Sequence, residues 1–262
     1  MSTYLRVAGL QVDLAWHDPE KNRNNLAKKI EFLDTETDLA ILPEMFATGF
    51  SMQPKNLADT GTTLYWMKEQ AAKTGIALAG SLMVEEEKKY YNRFYFVSPD
   101  GTVNSYDKRH RFTLAGEHEI YERGTDPKIV QFKGWKIALQ VCYDLRFPVF
   151  SRNTQDYDLV IYVANWPAKR IFAWDALLKA RAIENMTYCI GINRVGQDGN
   201  GYDYNGHSGI YDSLGATLAY GENVERTFTV NLSKKHLKET RNTFNFLADR
   251  DPFQLEEPKL PE

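Results

Sequence analysis

Two periodicities alternate along this chain. Contiguous apolar runs such as Leu39-Ala40-Ile41-Leu42, Trp135 to Val141 and Leu159 to Ala164 predict buried strands. Between such runs, apolar residues recur every three or four positions, the spacing of an amphipathic helix. Leu26, Ile30 and Leu33 do so within Lys21 to Leu33, and Leu177, Leu178, Ala180 and Ile183 within Trp174 to Glu184; Leu64 to Lys73 reads as another helix. Further strands are predicted over Leu5 to Val12, Ile76 to Val84, Tyr90 to Val97, Val103 to Tyr106, Thr187 to Ile192, Gly209 to Tyr211, Ala216 to Tyr220 and Thr227 to Val230. Pro99-Asp100-Gly101 is a turn signal that pairs Tyr90 to Val97 with Val103 to Tyr106 in a hairpin. Gly196 to Gly209, with five glycines, reads as a loop.

Strands alternating with helices, with hairpins inserted, place helices over mixed sheets: an α/β class built in layers. No internal repeat, low-complexity tract or Pro/Gly/Ser-rich linker divides the chain. Residues 1–262 are therefore expected to form one domain, with the polar stretch 247–262 and its three prolines as a C-terminal tail.

Composition narrows the function classes. With 43% hydrophobic and 26% charged residues the chain reads as an ordinary globular protein. A formal net charge of −3 gives no basic field to draw a polyanion, and the one dense basic run, Lys108 to Arg111, is short, so no nucleic-acid partner is expected. The N-terminal residues show no secretory pattern, and the longest uncharged apolar stretch, Ile76 to Val84, is too short to span a bilayer; a cytoplasmic protein without membrane contact is expected. The two cysteines, Cys142 and Cys189, cannot build a disulfide framework and suit a reducing compartment. The five histidines are scattered without a His-Glu-x-x-His spacing, and no glycine-rich nucleotide loop or Gly-x-Ser-x-Gly elbow is present, so neither metal nor cofactor is expected.

Three reactive side chains stand at the ends of predicted strands, where open α/β sheets place their ligands. Cys142 follows Trp135 to Val141, Glu44 follows Leu39 to Leu42 and Pro43, and Lys108 lies just beyond Val103 to Tyr106. By position alone each has a plain alternative. Taken singly, Cys142 reads first as a small buried hydrophobe, Glu44 as an exposed loop acid and Lys108 as part of a solvated basic run; it is the three together that point to chemistry. Cys189, inside a strand, reads as core.

Leu42-Pro43-Glu44-Met45-Phe46, Tyr106-Asp107-Lys108 and Val141-Cys142-Tyr143-Asp144-Leu145-Arg146-Phe147-Pro148 resemble, in order and spacing, the three catalytic motifs of the nitrilase superfamily of carbon–nitrogen hydrolases. Ala8-Gly9-Leu10-Gln11, Lys179 to Asn185 and Gly206-His207-Ser208 extend the resemblance over roughly residues 5 to 230. Val149 departs from it, standing where many relatives carry an acid. The resemblance implies a four-layer α-β-β-α sandwich, pairing into a homodimer, and a second glutamate between the Lys and Cys motifs. Glu117 fits that place better than Glu119. Asn165-Trp166-Pro167 and Arg241 to Arg250 resemble a bacterial ω-amidase branch, which acts on 2-oxo acid amides such as 2-oxoglutaramate.

What the resemblance implies chemically is acyl transfer to a thiol. Glu44 takes the thiol proton, Cys142 attacks the amide carbon, and Lys108 with the backbone N–H of Tyr143 holds the oxyanion. Ammonia leaves, and water hydrolyses the thioester. A nitrilase, an amidase for another small amide or carbamoyl compound, and a catalytically silent binding protein on the same fold remain as alternatives. A substrate carboxylate needs a cationic partner. Arg170, just beyond Asn165-Trp166-Pro167, is the candidate, with Trp166 as an apolar wall. Arg146 is expected instead in a structural ion pair with Glu184.

Overall fold

The computed structural model describes residues 3–256. Its first sheet draws on β1 (Tyr4–Gln11), β2 (Leu39–Ile41), β3 (Ala77–Glu86), β4 (Lys89–Val97), β5 (Val103–Asp107) and, from the far end of the chain, β13 (Arg226–Ser233). Its second draws on β6 (Lys128–Phe132), β7 (Trp135–Val141), β8 (Leu159–Ala164), β9 (Tyr188–Asn193), β10 (Val195–Gln197), β11 (Asp203–Tyr211) and β12 (Thr217–Glu222). The strand orders are β13-β1-β2-β3-β4-β5 and β10-β11-β9-β8-β7-β6, with β12 beside β11. Each sheet has a parallel centre, β1-β2-β3 or β7-β8-β9, flanked by antiparallel strands.

The parallel strands are buried on both faces, which explains why they read as unbroken apolar runs. In β8, Leu159, Ile161 and Val163 join the core between the sheets, while Val160, Tyr162 and Ala164 join the core on the opposite face. The first sheet divides in the same way: Leu39 and Ile41 face the second sheet, and Ala40 and Leu42 face helices. Those helices are α1 (Pro19–Glu31), which contributes Leu26 and Ile30, and α2 (Thr62–Thr74), which contributes Met67 and Ala71. On the other side α4 (Ile171–Glu184) covers the second sheet with Trp174, Leu178 and Ala182. The result is the expected four-layer α-β-β-α sandwich.

Local chemistry sets the helix ends. Asp18 caps α1 by accepting from the Lys21 N–H at 3.0 Å, with Pro19 in the first turn. Gly75, at φ +72°, closes α2.

Several elements depart from the expectation. β6, the short α3 (Glu117–Ile120) and α5 (Lys234–Phe244) were not anticipated. The glycine-rich stretch expected as a loop folds instead as the β10–β11 hairpin. Its glycines mark close approach: a Cβ on Gly199 would sit 2.2 Å from Trp16 Nε1, and one on Gly206 would sit 2.3 Å from the Gln11 side chain. Arg250, in the expected tail, donates to the Asn153 carbonyl at 2.8 Å; residues 257–262 of that tail lie outside the described residues. Among the described residues no helix is long and apolar enough to cross a membrane.

Candidate active site

Four of the side chains singled out by the sequence converge where the two sheets meet. Glu44 stands three residues beyond the end of β2, Lys108 follows β5 directly, Glu117 opens α3, and Cys142 begins a 3-10 turn (Cys142–Arg146) at the end of β7. Lys108 Nζ donates to Glu44 Oε1 at 2.9 Å and to Glu117 Oε1 and Oε2 at 3.0 and 2.9 Å. All three are buried. Buried charges persist only when paired and hydrogen-bonded, and here every carboxylate oxygen has a donor. Asn92 Nδ2 bridges Glu44 Oε1 at 2.8 Å and Glu117 Oε1 at 3.1 Å; the backbone N–H of Asn165 meets Glu44 Oε2 at 2.8 Å, and that of Phe112 meets Glu117 Oε2 at 2.5 Å. Glu119 points elsewhere, with its side chain 73% exposed.

Burial alone would drive the Lys108 ammonium down. The charges of Glu117 and then Glu44 outweigh it, so Lys108 stays protonated above the ordinary lysine range. Burial raises the Glu117 carboxyl, with Lys108 opposing and Glu44 adding to the rise. The Cys142 thiol lies within reach of the Glu44 and Lys108 charges and packs against the cores on both faces of the second sheet. Burial and then the Glu44 charge push it well above the usual thiol range, against the pull of Lys108. The resting nucleophile candidate is therefore a neutral S–H beside a carboxylate.

Cys142 has φ +44°, a left-handed conformation that a non-glycine residue adopts only when its surroundings impose it. The turn that follows leaves the Cys142 and Tyr143 N–H groups without acceptors inside the 3-10 helix, because the first bond of such a helix belongs to its third residue. Cys142, Tyr143 and Lys108 line one wall of a cavity of about 370 Å³, with Trp166, Arg146 and Arg170 also on its lining. The Arg146 guanidinium lies 5.0 Å over the Trp166 ring and that of Arg170 lies 5.0 Å over the Phe112 ring. The expected Arg146–Glu184 pair is not formed: Glu184 is taken by Arg181 at 2.8 Å, because both lie one turn apart on α4. Arg146 faces the cavity instead.

A family profile described as carbon-nitrogen hydrolase matches residues 6–242. This chain belongs to the carbon–nitrogen hydrolase family. The hydrolase is 44% identical over 257 residues to the ω-amidase YafV of Yersinia enterocolitica, covering 97% of this chain and 100% of the relative. It is 30% identical over 250 residues to the 2-oxoglutaramate amidase of Bacillus subtilis, covering 93% and 96%. A crystal structure of XC1258 from Xanthomonas campestris, a CN-hydrolase superfamily protein with an arsenic adduct in its active site, superposes with a TM-score of 0.95 at 41% identity over 97% of this chain and all of that one.

The hydrolase also carries site residues that sequence reasoning passed over. Asn92 ties both carboxylates together and is itself held by Ser81, whose hydroxyl donates to Asn92 Oδ1 at 2.9 Å while accepting from the Met45 N–H. A signal was present: an asparagine interrupts the strand Tyr90-Tyr91-Asn92-Arg93-Phe94 at a position whose neighbours two residues on face the core. Asn165 was noted only as part of a motif. It also donates through Nδ2 to the Glu44 carbonyl at 2.5 Å.

Proposed function

We propose that this hydrolase is a cysteine-dependent amidase that converts a small linear amide to acid and ammonia, and that its substrate is a 2-oxo acid amide of the 2-oxoglutaramate kind. One observation carries the chemistry: a lysine ammonium held by two buried carboxylates, close enough to a thiol that both charges act on it, at the wall of a cavity. The names of the relatives at 44% and 30% identity support the substrate class. So do Arg146 and Arg170, two cavity arginines with no carboxylate partner among the described residues, each stacked on an aromatic ring.

In this reading Glu44 takes the Cys142 proton as sulfur attacks the amide carbon, so the charged thiolate never has to persist in the resting site. The carbonyl oxygen becomes an oxyanion facing the Lys108 ammonium and the Tyr143 N–H, donors worth about 10²–10³ in rate each. Glu44 returns its proton to the leaving nitrogen, the carbon–nitrogen bond breaks, and ammonia departs. Water then attacks the thioester, giving its proton to Glu44; the carbon–sulfur bond breaks and the thiol is restored. Glu117 holds Lys108 through both oxygens, so the ammonium keeps one position through the cycle. Arg170 is assigned to the substrate carboxylate and Trp166 to an apolar wall. No metal or cofactor takes part. The working form is read as a cytoplasmic homodimer; exposed Phe172 and Ile183 on α4, and exposed Leu214, whose neighbour Gly215 lies against Ile183, offer apolar surface for a second copy.

The test is ammonia release from a panel of 2-oxo acid amides, simple amides, carbamoyl compounds and nitriles, run with wild type and Cys142→Ala. Turnover of the 2-oxo acid amides that disappears in a folded Cys142→Ala protein is expected. Turnover surviving that substitution sinks the mechanism, and preference for a nitrile or carbamoyl compound sinks the substrate class.

A further inference from the structure

Cys142 and Lys108 belong to different sheets, and one buried side chain that touches neither of them joins their segments. Asp144 is fully buried and does not line the cavity. Its Oδ2 accepts from the Val141 N–H at 2.9 Å and from the Tyr106 hydroxyl at 2.8 Å. Its Oδ1 accepts from the His110 N–H at 3.0 Å and from His110 Nδ1 at 2.7 Å. The Tyr106 hydroxyl in turn accepts from the Arg109 N–H at 3.1 Å. Residues just before the thiol and on either side of the lysine thus end on one carboxylate, directly or through one hydroxyl. Two further contacts stiffen the assembly. The His110 ring stacks on Phe147, with centroids 3.8 Å apart, and Arg181 of α4 donates to the Leu145 carbonyl at 2.6 Å.

We propose that Asp144 is a positioning residue that fixes the distance between the Cys142 sulfur and the Lys108 ammonium. This rests on reading Cys142 as nucleophile and Lys108 as oxyanion donor. A carboxylate can only accept, and four donors converge on it from two segments. Neither segment can slide against the other without breaking charge-assisted hydrogen bonds in a dry site. The same carboxylate holds the turn in which Cys142 keeps its left-handed backbone. Asparagine at this position conserves volume and keeps one acceptor oxygen. Its NH₂ must then face either the Val141 N–H or the His110 N–H, and whichever amide it faces loses its partner. One of the two segments is released.

The experiment uses Asp144→Asn and Tyr106→Phe in a Cys189→Ala background, so that alkylation reads Cys142 alone. kcat and KM for amide hydrolysis and the pH profile of iodoacetamide alkylation are measured per titratable thiol. Asp144→Asn should lose kcat on the order of 10²-fold, the effect of roughly an ångström of misplacement, with KM little changed. Its alkylation profile should move to higher pH, because Lys108 no longer opposes the burial of the thiol from its fixed place. Tyr106→Phe, which removes one hydroxyl, should move both readouts the same way by less, and it decides the matter if Asp144→Asn does not fold. A role confined to stability would lower the melting temperature and leave kcat per thiol and the profile at wild type; that result overturns the proposal. If Cys142→Ala retains turnover, the underlying mechanism fails. If Cys142→Ala is dead while Asp144→Asn and Tyr106→Phe behave as wild type, only the positioning role fails.

Discussion

Replacing Lys108 by Met removes one positive charge from a site with two buried carboxylates and nearly conserves volume. Each Lys108–carboxylate contact is 2.9 Å long. At an effective dielectric near 20, a contact of this length is worth about 5–6 kcal/mol before desolvation is subtracted. Most of that offsets the cost of burying the ions, and breaking such a pair from one side costs about 3–5 kcal/mol net. At about 2–4 °C per kcal/mol for a chain near this size, the melting temperature should fall by roughly 6–20 °C at pH 8. The loss should shrink at pH 5. Burial already raises the Glu117 carboxyl in spite of Lys108, and without the ammonium it rises further. An acid whose folded pKa lies above its unfolded value, about 4.3 for Glu, binds more protons folded than unfolded between the two. Its contribution to stability therefore falls as pH climbs through that window, and at the lower pH protonation of a carboxyl more readily relieves the missing charge. Activity should fall by at least about 10²–10³, the value of a lost oxyanion donor. Thermal unfolding followed by circular dichroism at both pH values, with kcat/KM from ammonia release, tests this. An equal drop in melting temperature at pH 5 and pH 8, or kcat/KM within tenfold of wild type, would refute the reasoning.

Cys142→Ser should be far slower than wild type, since a hydroxyl is a much weaker acid than a thiol and a carboxylate is a poor base for it; single-turnover kinetics within roughly tenfold of wild type would contradict this. Glu117→Gln should lower kcat strongly while Glu119→Gln stays near wild type, because only the first holds Lys108; parallel steady-state assays of the two variants decide it. Arg170→Ala should lose roughly 10–10²-fold in kcat/KM for a 2-oxo acid amide, the worth of one charge-assisted hydrogen bond, and little for its neutral ester analogue. Equal losses on both substrates, or none on either, would remove Arg170 from the carboxylate site.

The elements that the sequence disclosed are those whose apolar pattern is also their packing pattern. β7, β8 and α4 bury their runs on both faces or one stripe, and their boundaries stand within a few residues of the expectation. α5 went unseen because only Leu237 and Thr240 of its residues are buried, leaving no apolar stripe to read. Its start was written only in the Ser233 side chain, which accepts from the His236 N–H. β10 and β11 were hidden by glycines whose reason is a neighbouring side chain from a remote strand or loop. At the site, Glu44, Lys108, Glu117 and Cys142 were legible because each ends or follows a strand within a recognisable motif. Asn92, Ser81 and Asp144 act through contacts across 11 to 48 positions of sequence, visible only once the sheets are in place. Arg146 was misassigned because a helical neighbour one turn away competes for Glu184, an advantage in proximity that a distant turn cannot match.

Glu44, Asn92, Lys108 and Glu117 are presented by the first sheet and the segments that follow its strands, whereas Cys142 and Asn165 sit at the ends of strands in the second. The sheets meet where β4 packs on β7 and β1 on β9, and β13 brings the end of the chain back to close the first sheet beside β1. The chemistry is thus a circuit with its contacts on separate boards. A growing chain carries Glu44 and Lys108 before Cys142 has been synthesised, and only the packing of one sheet on the other sets the thiol beside them. The site therefore exists only once the two sheets have packed together, and anything that parts them takes it apart without altering a single one of its residues.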